Sequence, residues 1–439
     1  MISSALRELG AKIDDRTARI GVIGLGYVGL PLAVELAAAG FEVVGFDIDS
    51  EKVQAIEAGN SYIGDVSSEE LRSAREANRL RATTDFDELH DVQIVNVCVP
   101  TPLTKTRDPD VSFMAHAVEE IRKRLHPGEL IILGSTTYPG TTRELFVPVL
   151  EETGLKVGKD FSLAFAPERI DPGNTRFKVK DVPKVVGGES PICTELACKV
   201  FGTVFETTVP VSSTQAAEMV KLLENTFRAI NIGLANEVAL MCERLDLDVW
   251  EVIEAAATKP YGFMKFLPGP GLGGHCIPVD PSYLSWRMKS LNFSARFIEL
   301  ATEINSSMPA HVADRVADLL NDAQRAVNGA RVLVLGVAYK SDVNDLRESP
   351  ALDVISILAG KGAQVSYHDP FVAECEIEGT LYKGVELSDQ ALAESDLVVI
   401  LTDHSGVDYG RVIDRANRVF DTRNATAGVP DPAGKVVKL

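Results

Sequence analysis

The chain has 439 residues and a formal net charge of −19, so two or three domains are expected and neither nucleic acid nor an anionic membrane suits it as main partner. A small anion is still allowed, because a local Lys/Arg cluster or a helix N-terminus can hold one inside an acidic protein. No apolar run reaches transmembrane length and the first nineteen residues lack a signal-peptide core; the six scattered cysteines form no Cys-x-x-Cys pair, which points to reduced thiols, the cytoplasm and no metal.

In chain order, Arg19 to Ile23 reads as a first strand, Gly24-Leu-Gly-Tyr-Val-Gly29 as a turn, and Leu30 to Ala39 as a helix ended by Gly40. Pro31 is tolerated because it falls in the first helical turn. Phe41 to Phe46 is a second strand; Ile94 to Val99 and Leu130 to Leu133 are further apolar strands. Strands alternating with helical stretches imply a doubly wound parallel sheet, here ending near residue 210. Ser212 or Ser213 can cap a long helix from Thr214 to about Arg244, about thirty residues and roughly 45 Å in length. Shorter helical patterns follow at Val249–Ala257 and Phe297–Leu320. A second α/β pattern starts at Ala330, with strands at Arg331–Gly336, Gln364–Asp369 and Leu397–Leu401 and a helix at Ser349–Ala359. The expected architecture is α/β: two Rossmann-like doubly wound domains, 1–210 and 326–439, joined by a helical domain, 211–325.

The turn at 24–29 lies between a strand and a helix, and Asp47 ends the next strand, which is the context of a dinucleotide fingerprint. Gly24 makes the tight turn, Gly26 admits a pyrophosphate and Gly29 allows close packing; Tyr27 and Val28 complete the loop. Asp47 suits a ribose hydroxyl and repels a 2′-phosphate, a repulsion that Asp49 strengthens and Lys52 partly offsets, so NAD is favoured over NADP. Thr101 and Thr136 lie in loops that follow strands, where ligands bind in such sheets, although Thr, Pro and Gly also make ordinary turns there. Lys221, Asn225 and Arg228 share one helical stripe, which suits either an anionic polar substrate or a solvated face. In Gly271-Leu-Gly-Gly-His-Cys-Ile-Pro-Val-Asp-Pro281, glycines let backbone approach a ligand, Cys276 follows, and Asp280 lies four residues on. A thiol there beside a nicotinamide site suggests covalent oxidation through a thioester, whereas a free cysteine is otherwise a small buried residue; His275 is one source of the positive charge that a nucleophilic thiol needs.

Taken together with Val99-Pro-Thr-Pro102, Ser135-Thr-Thr-Tyr-Pro139, Pro167-Glu-Arg-Ile-Asp-Pro-Gly173, Lys221-Leu-Leu-Glu-Asn225 and Leu346-Arg-Glu-Ser-Pro350, these motifs resemble the nucleotide-sugar (UDP-glucose/GDP-mannose) dehydrogenase family over nearly the whole chain. The resemblance implies a four-electron oxidation of the sugar C6 hydroxyl, two NAD per sugar, with Cys276 as nucleophile, Lys221 stabilising oxyanion charge and Asn225 fixing the sugar oxygen. Asp280 and Glu168 become the candidates for activating water, with Thr136 orienting it. It also places Arg169, Ile170, Arg228, Gly273, Lys340 and Arg347 around the nucleotide-sugar, with the UDP portion in the second lobe, where the glycine signature at Gly336 is incomplete. Pro-Glu-Arg-x-Asp-Pro-Gly-Asn at 167–174 resembles the N-acetylhexosamine branch, and Tyr261-Gly-Phe-Met with Pro268-Gly-Pro-Gly271 and His-Cys-Ile-Pro at 275–278 is similar to the members of that branch that act on UDP-N-acetylglucosamine, a resemblance that implies this substrate. UDP-N-acetylmannosamine and UDP-glucose are the alternatives, because an N-acetyl pocket is a matter of volume and one or two hydrogen bonds. A two-electron hydroxyacid-type dehydrogenase has no need of Cys276, and a non-catalytic sensor of NAD and UDP-sugar has no need of Lys221 with Cys276. Family members assemble as dimers or larger through the long helix, so a homo-oligomer is expected, although an apolar helix face equally fits an internal core.

Overall fold

The computed structural model describes residues 3–104, 108–169, 179–274 and 276–439. Ile170 and His275 therefore lie outside the described residues. The chain divides into two compact units, Met1–Glu224 with Ser282–Phe293 and Asn225–Pro281 with Ser294–Leu439.

The first unit is built on a sheet with, among the described residues, eight strands: β1 (Arg19–Ile23), β2 (Glu42–Phe46), β3 (Leu80–Thr83), β4 (Ile94–Val97), β5 (Leu130–Leu133), β6 (Ser162–Phe165), β7 (Lys184–Gly188) and β8 (Thr208–Val211). Their order is β3-β2-β1-β4-β5-β6-β7-β8. The first six are parallel in the order of a dinucleotide-binding sheet; β7 runs antiparallel to β6, and β8 parallel to β7. Alternation along the strands divides the core between the two faces. Ile20, Val22 and Ile94 pack with Leu30, Ala33 and Leu36 of the Gly29–Ala38 helix on one face, while Ile23, Val95 and Val97 pack with Met114, Val118 and Ile121 of the Ser112–Arg122 helix on the other. Each of these Ile, Val, Leu and Met side chains, fully buried, contributes about 1.5–3 kcal/mol. The strand that starts at Ile94 stops at Val97, shorter than its apolar run: Cys98 N–H still donates to the Ile23 carbonyl (2.7 Å), but Pro100, which follows, has no N–H for a further rung. The opening residues, unread in the sequence, form the helix Ser4–Asp14, capped by the Ser3 hydroxyl; it buries Leu6, Leu9 and Ile13, and Asp14 meets Lys199 at 2.8 Å.

The second unit carries a parallel sheet of β9 (Arg331–Leu335), β10 (Gln364–His368), β13 (Leu397–Ile400), β14 (Val419–Asp421) and β15 (Val436–Lys438), in the order β10-β9-β13-β14-β15. A separate antiparallel hairpin joins β11 (Glu374–Ile377) and β12 (Thr380–Lys383). The helices Arg296–Asp322 and Pro350–Gly360 cover one face through Val312, Val316, Val354 and Ile355. The helix Thr214–Arg244 has the bounds that its periodicity predicts. Pro281 continues into the helix Asp280–Ser290, which the Gly/Pro-rich surroundings concealed in the sequence.

Candidate active site

In the first unit, the turn after β1 separates what the fold needs from what a ligand needs. Gly24 adopts φ +89°, and a Cβ there comes within 2.5 Å of the Cys98 carbonyl oxygen. A Cβ on Gly29 falls 1.8 Å from the Gly24 oxygen, so the first turn of the helix admits no side chain. Gly26 differs: a Cβ there meets nothing within 4 Å. The open space over Gly26, at the N-terminus of the Gly29–Ala38 helix and at the switch point between β1 and β4, fits a pyrophosphate. Asp47, buried at the end of β2, accepts from Leu25 N–H (2.9 Å) and Asp49 N–H (3.0 Å), with the Lys52 ammonium 3.7 Å away. Each of its oxygens keeps a lone pair for a ribose hydroxyl. Tyr27 is exposed and Val28 half-buried. Tyr62, absent from the sequence reading, donates to the Leu25 carbonyl at 2.6 Å; burial, with Asp47 and Asp49 nearby, pushes its phenol up.

The loops after β4 and β5 are anchored from two directions. Tyr283 donates to the carbonyls of Thr101 (3.0 Å) and Pro102 (3.2 Å), and Trp286 packs against Tyr138 with ring centroids 5.0 Å apart and planes tilted by 47°. Thr101 is buried and Thr136 half-buried; Ser135 Oγ donates to the Val99 carbonyl at 2.8 Å. Glu218, fully buried on the Thr214–Arg244 helix, accepts from Gly140 N–H (2.5 Å), Thr142 N–H (2.9 Å) and Thr142 Oγ1 (2.6 Å). This carboxylate ties the loop that carries Thr136 to the helix turn that precedes Lys221.

Glu168 follows β6, and its Oε2 lies 3.0 Å from the Lys184 ammonium while Oε1 accepts from Arg169 N–H at 2.7 Å. Burial pushes the Glu168 carboxyl up, but the charge and hydrogen bond of Lys184, the Arg169 N–H and the charge of Lys221 outweigh it and hold the group below its ordinary value. The Arg169 guanidinium turns instead to Glu224 (2.6 Å) and the Pro183 carbonyl (2.6 Å). Lys184 was missed in the sequence; a lysine opening the otherwise apolar run Lys-Val-Val-Gly-Gly was its signal.

In the second unit, Cys276 is half-buried, and its carbonyl accepts from Val279 N–H (3.2 Å) and Asp280 N–H (2.8 Å), closing the turn into the Asp280–Ser290 helix. Asp280 is buried and accepts from Asn225 Nδ2, so the carboxylate one turn after the thiol is joined to the amide side chain of the long helix. The glycines before Cys276 serve packing in the first place. A Cβ on Gly273 falls 2.6 Å from Tyr339 Cβ, one on Gly274 falls 2.7 Å from the Tyr339 ring, and Gly274 N–H donates to the Arg347 carbonyl at 2.9 Å. Arg228 and Lys340 are half-buried; Arg347 is exposed and pairs with Asp345 at 2.6 Å. The turn after β9 is closed by protein. Val337 and Ala338 N–H donate to Asp369 (2.9 and 3.1 Å), His404 meets the same carboxylate at 3.0 Å, and a Cβ on Gly336 falls 2.3 Å from Thr402 Cβ.

The strand order, the fingerprint turn and the acidic end of β2 define an NAD-dependent oxidoreductase with a Rossmann domain. The chain belongs to the UDP-glucose/GDP-mannose dehydrogenase family: its NAD binding domain matches residues 18–209, its central domain 215–307 and its UDP binding domain 333–428. The chain is 38% identical over 357 residues to a UDP-N-acetyl-D-glucosamine 6-dehydrogenase of Pseudomonas aeruginosa, covering 81% of this chain and 83% of that one. It is 36% identical over 388 residues to a UDP-N-acetyl-D-mannosamine dehydrogenase of Pyrococcus horikoshii, covering 88% and 89%. The solved structure of the UDP-D-ManNAc dehydrogenase from Pyrococcus horikoshii superimposes with a TM-score of 0.87 at 33% identity, covering 96% of this chain and 98% of that one. By family the chain is a nucleotide-sugar dehydrogenase that uses NAD and a UDP-sugar, and among the described residues no helix is long and apolar enough to cross a membrane.

Proposed function

We propose that this enzyme oxidises the C6 hydroxyl of a UDP-N-acetylhexosamine, UDP-N-acetylglucosamine foremost, to the uronic acid in two NAD-dependent steps. The observation that carries the reading is the second unit's turn from Cys276 to Asp280, which holds a half-buried thiol one helical turn from a buried carboxylate bonded to Asn225. Two NAD, bound in turn, would supply one hydride acceptor for the alcohol and one for the thiohemiacetal. Cys276 adds through sulfur to the C6 aldehyde, the second oxidation leaves a thioester, and water displaces the thiolate to give the acid. Lys221 places positive charge where oxyanion charge develops, and Asn225 holds the sugar oxygen. Asp280 or Glu168 accepts the proton that the attacking water loses, with Thr136 orienting that water. Arg169, Arg228, Lys340, Arg347 and the backbone at Gly273 bind the nucleotide-sugar. Asp47 and the loop Gly24–Gly29, with Tyr27, Val28, Lys52 and Thr101, bind NAD. The glucosamine preference rests on the Tyr261–Met264 and Pro268–Gly271 segments and on the likeness to the Pseudomonas enzyme; the likeness to mannosamine dehydrogenases supports the epimer as the second reading. Exposed Leu223, Phe227 and Leu234 on the long helix support a homodimer or a larger homo-oligomer.

The test is NADH formed per UDP-N-acetylglucosamine consumed, run to completion. About two per sugar is expected from the thioester route. A yield of one means that oxidation stops at the aldehyde and removes the role of Cys276. Turnover with UDP-N-acetylmannosamine or UDP-glucose alone keeps the chemistry and changes the substrate.

A further inference from the structure

Lys184 opens β7, a strand whose five residues are all buried, and only 3% of its side chain is exposed. A buried ammonium is costly unless it is paired. Its Nζ lies 5.1 Å from the ring centroids of both Phe201 and Phe205, which themselves pack edge to face at 5.8 Å. These faces attract the cation and shield it from water, so its ion-pair partner at 3.0 Å is the Glu168 carboxylate, itself only 14% exposed. The second Glu168 oxygen is fixed by the Arg169 main chain. From these contacts we propose that Lys184 is a positioning residue: sealed against Phe201 and Phe205, it holds Glu168 as an oriented carboxylate.

The groups that face Glu168 agree with this assignment. Lys184 comes from β7 and Lys221 from the long helix, and both stabilise the ionised form. The Arg169 side chain is engaged by Glu224 and Pro183. Cys98, at the end of β4, is pushed up to about 12 by burial, with Lys184 opposing and Glu168 adding, so its thiol is neutral and brings no competing charge. Without Lys184 the charge and the hydrogen bond that most oppose burial are lost, so the Glu168 carboxyl moves up and its neutral form gains. In that form Glu168 does not accept from water. The inference rests on the reading of Glu168 as an acceptor in the thioester-releasing step.

The experiment is the pH profile of kcat for the wild type, Lys184→Met, Lys184→Arg and Glu168→Gln, with the UDP-sugar that the wild type turns over. The acid limb of Lys184→Met is expected to move up by about one to three pH units, with activity recovering on the alkaline side. Lys184→Arg, which keeps the charge, is expected to leave the limb near its wild-type position. An equal loss of activity at every pH in Lys184→Met overturns the proposal. Wild-type turnover by Glu168→Gln removes instead the role assigned to Glu168, so the two failures are told apart. Should Lys184→Met not fold, the double variant Lys184→Met/Glu168→Gln decides: it carries no unpaired buried charge and is expected to melt higher than Lys184→Met. A double variant no more stable than the single one shows that the pair is not coupled and sinks the proposal.

Discussion

Glu129 shows how one side chain can set a pH dependence far from any chemistry. It stands just before β5, 2% exposed, and accepts from His126 N–H at a long 3.3 Å. Burial pushes its carboxyl up from the ordinary 4.5 to about 8, and the His126 N–H only partly opposes this. The folded form therefore binds a proton that the unfolded chain has released between those two values. Stability must fall as pH rises through that window, by about 1.4 kcal/mol for each unit of displacement, and the loss is complete above the folded value. Glu129→Gln keeps an acceptor for His126 and has no charge to bury. Its melting temperature relative to wild type is expected to be higher at pH 8.5 than at pH 5, by several degrees. Thermal melts across this range check it; a difference constant with pH rules out a buried proton on Glu129. Glu168 has the opposite sign: held below its ordinary value by Lys184, it contributes stability that is present at neutral pH and fades in acid.

At the scale of elements, the strand–turn–helix at 19–38 gives a sharper test of a glycine motif than the motif does. Gly29→Ala forces a Cβ to 1.8 Å from a backbone oxygen and is expected to prevent folding of the first unit. Gly26→Ala adds a methyl group to open space and is expected to keep the melting temperature within about a degree while raising the KM for NAD at least tenfold, since the lost space is the cofactor's. Paired melts and NAD titrations measure both; a Gly26→Ala enzyme with unchanged KM places the pyrophosphate elsewhere. The fingerprint was legible because it is local: one strand, one turn and one acid at the next strand's end. The long helix was legible for the same reason, and the structure keeps its bounds, Thr214–Arg244. The supports of those elements were not legible. Glu218 reaches Gly140 across 78 residues of sequence, and Tyr283 reaches Thr101 across 182. Spacing rules speak of residues on one element, and such bonds depend on how elements pack. Gly273 and Gly274 add a partner that their sequence does not name: the place of their side chains is taken by Tyr339.

For the whole molecule, the question is whether a chain of net charge −19 associates with itself. Two copies repel at long range, so a dimer needs a contact area that is apolar and depleted of charge. The long helix offers one: Met219, Leu223, Phe227, Leu234 and Met241 are all exposed, and Leu234 is 55% exposed. Single exposed apolar residues need no explanation, but a row of them along one helix is where copies would be expected to meet. Sedimentation is expected to give about twice the 47.4 kDa of one chain. Added salt screens the repulsion between copies and should tighten association, whereas an interface held by ion pairs would loosen. Leu223→Glu with Leu234→Glu places charge in the apolar row and is expected to yield the single-chain mass without lowering the melting temperature by more than a degree or so, since neither side chain belongs to a core. A wild-type mass of one chain, or a double variant that still sediments as a dimer, would show that another surface, or none, joins the copies.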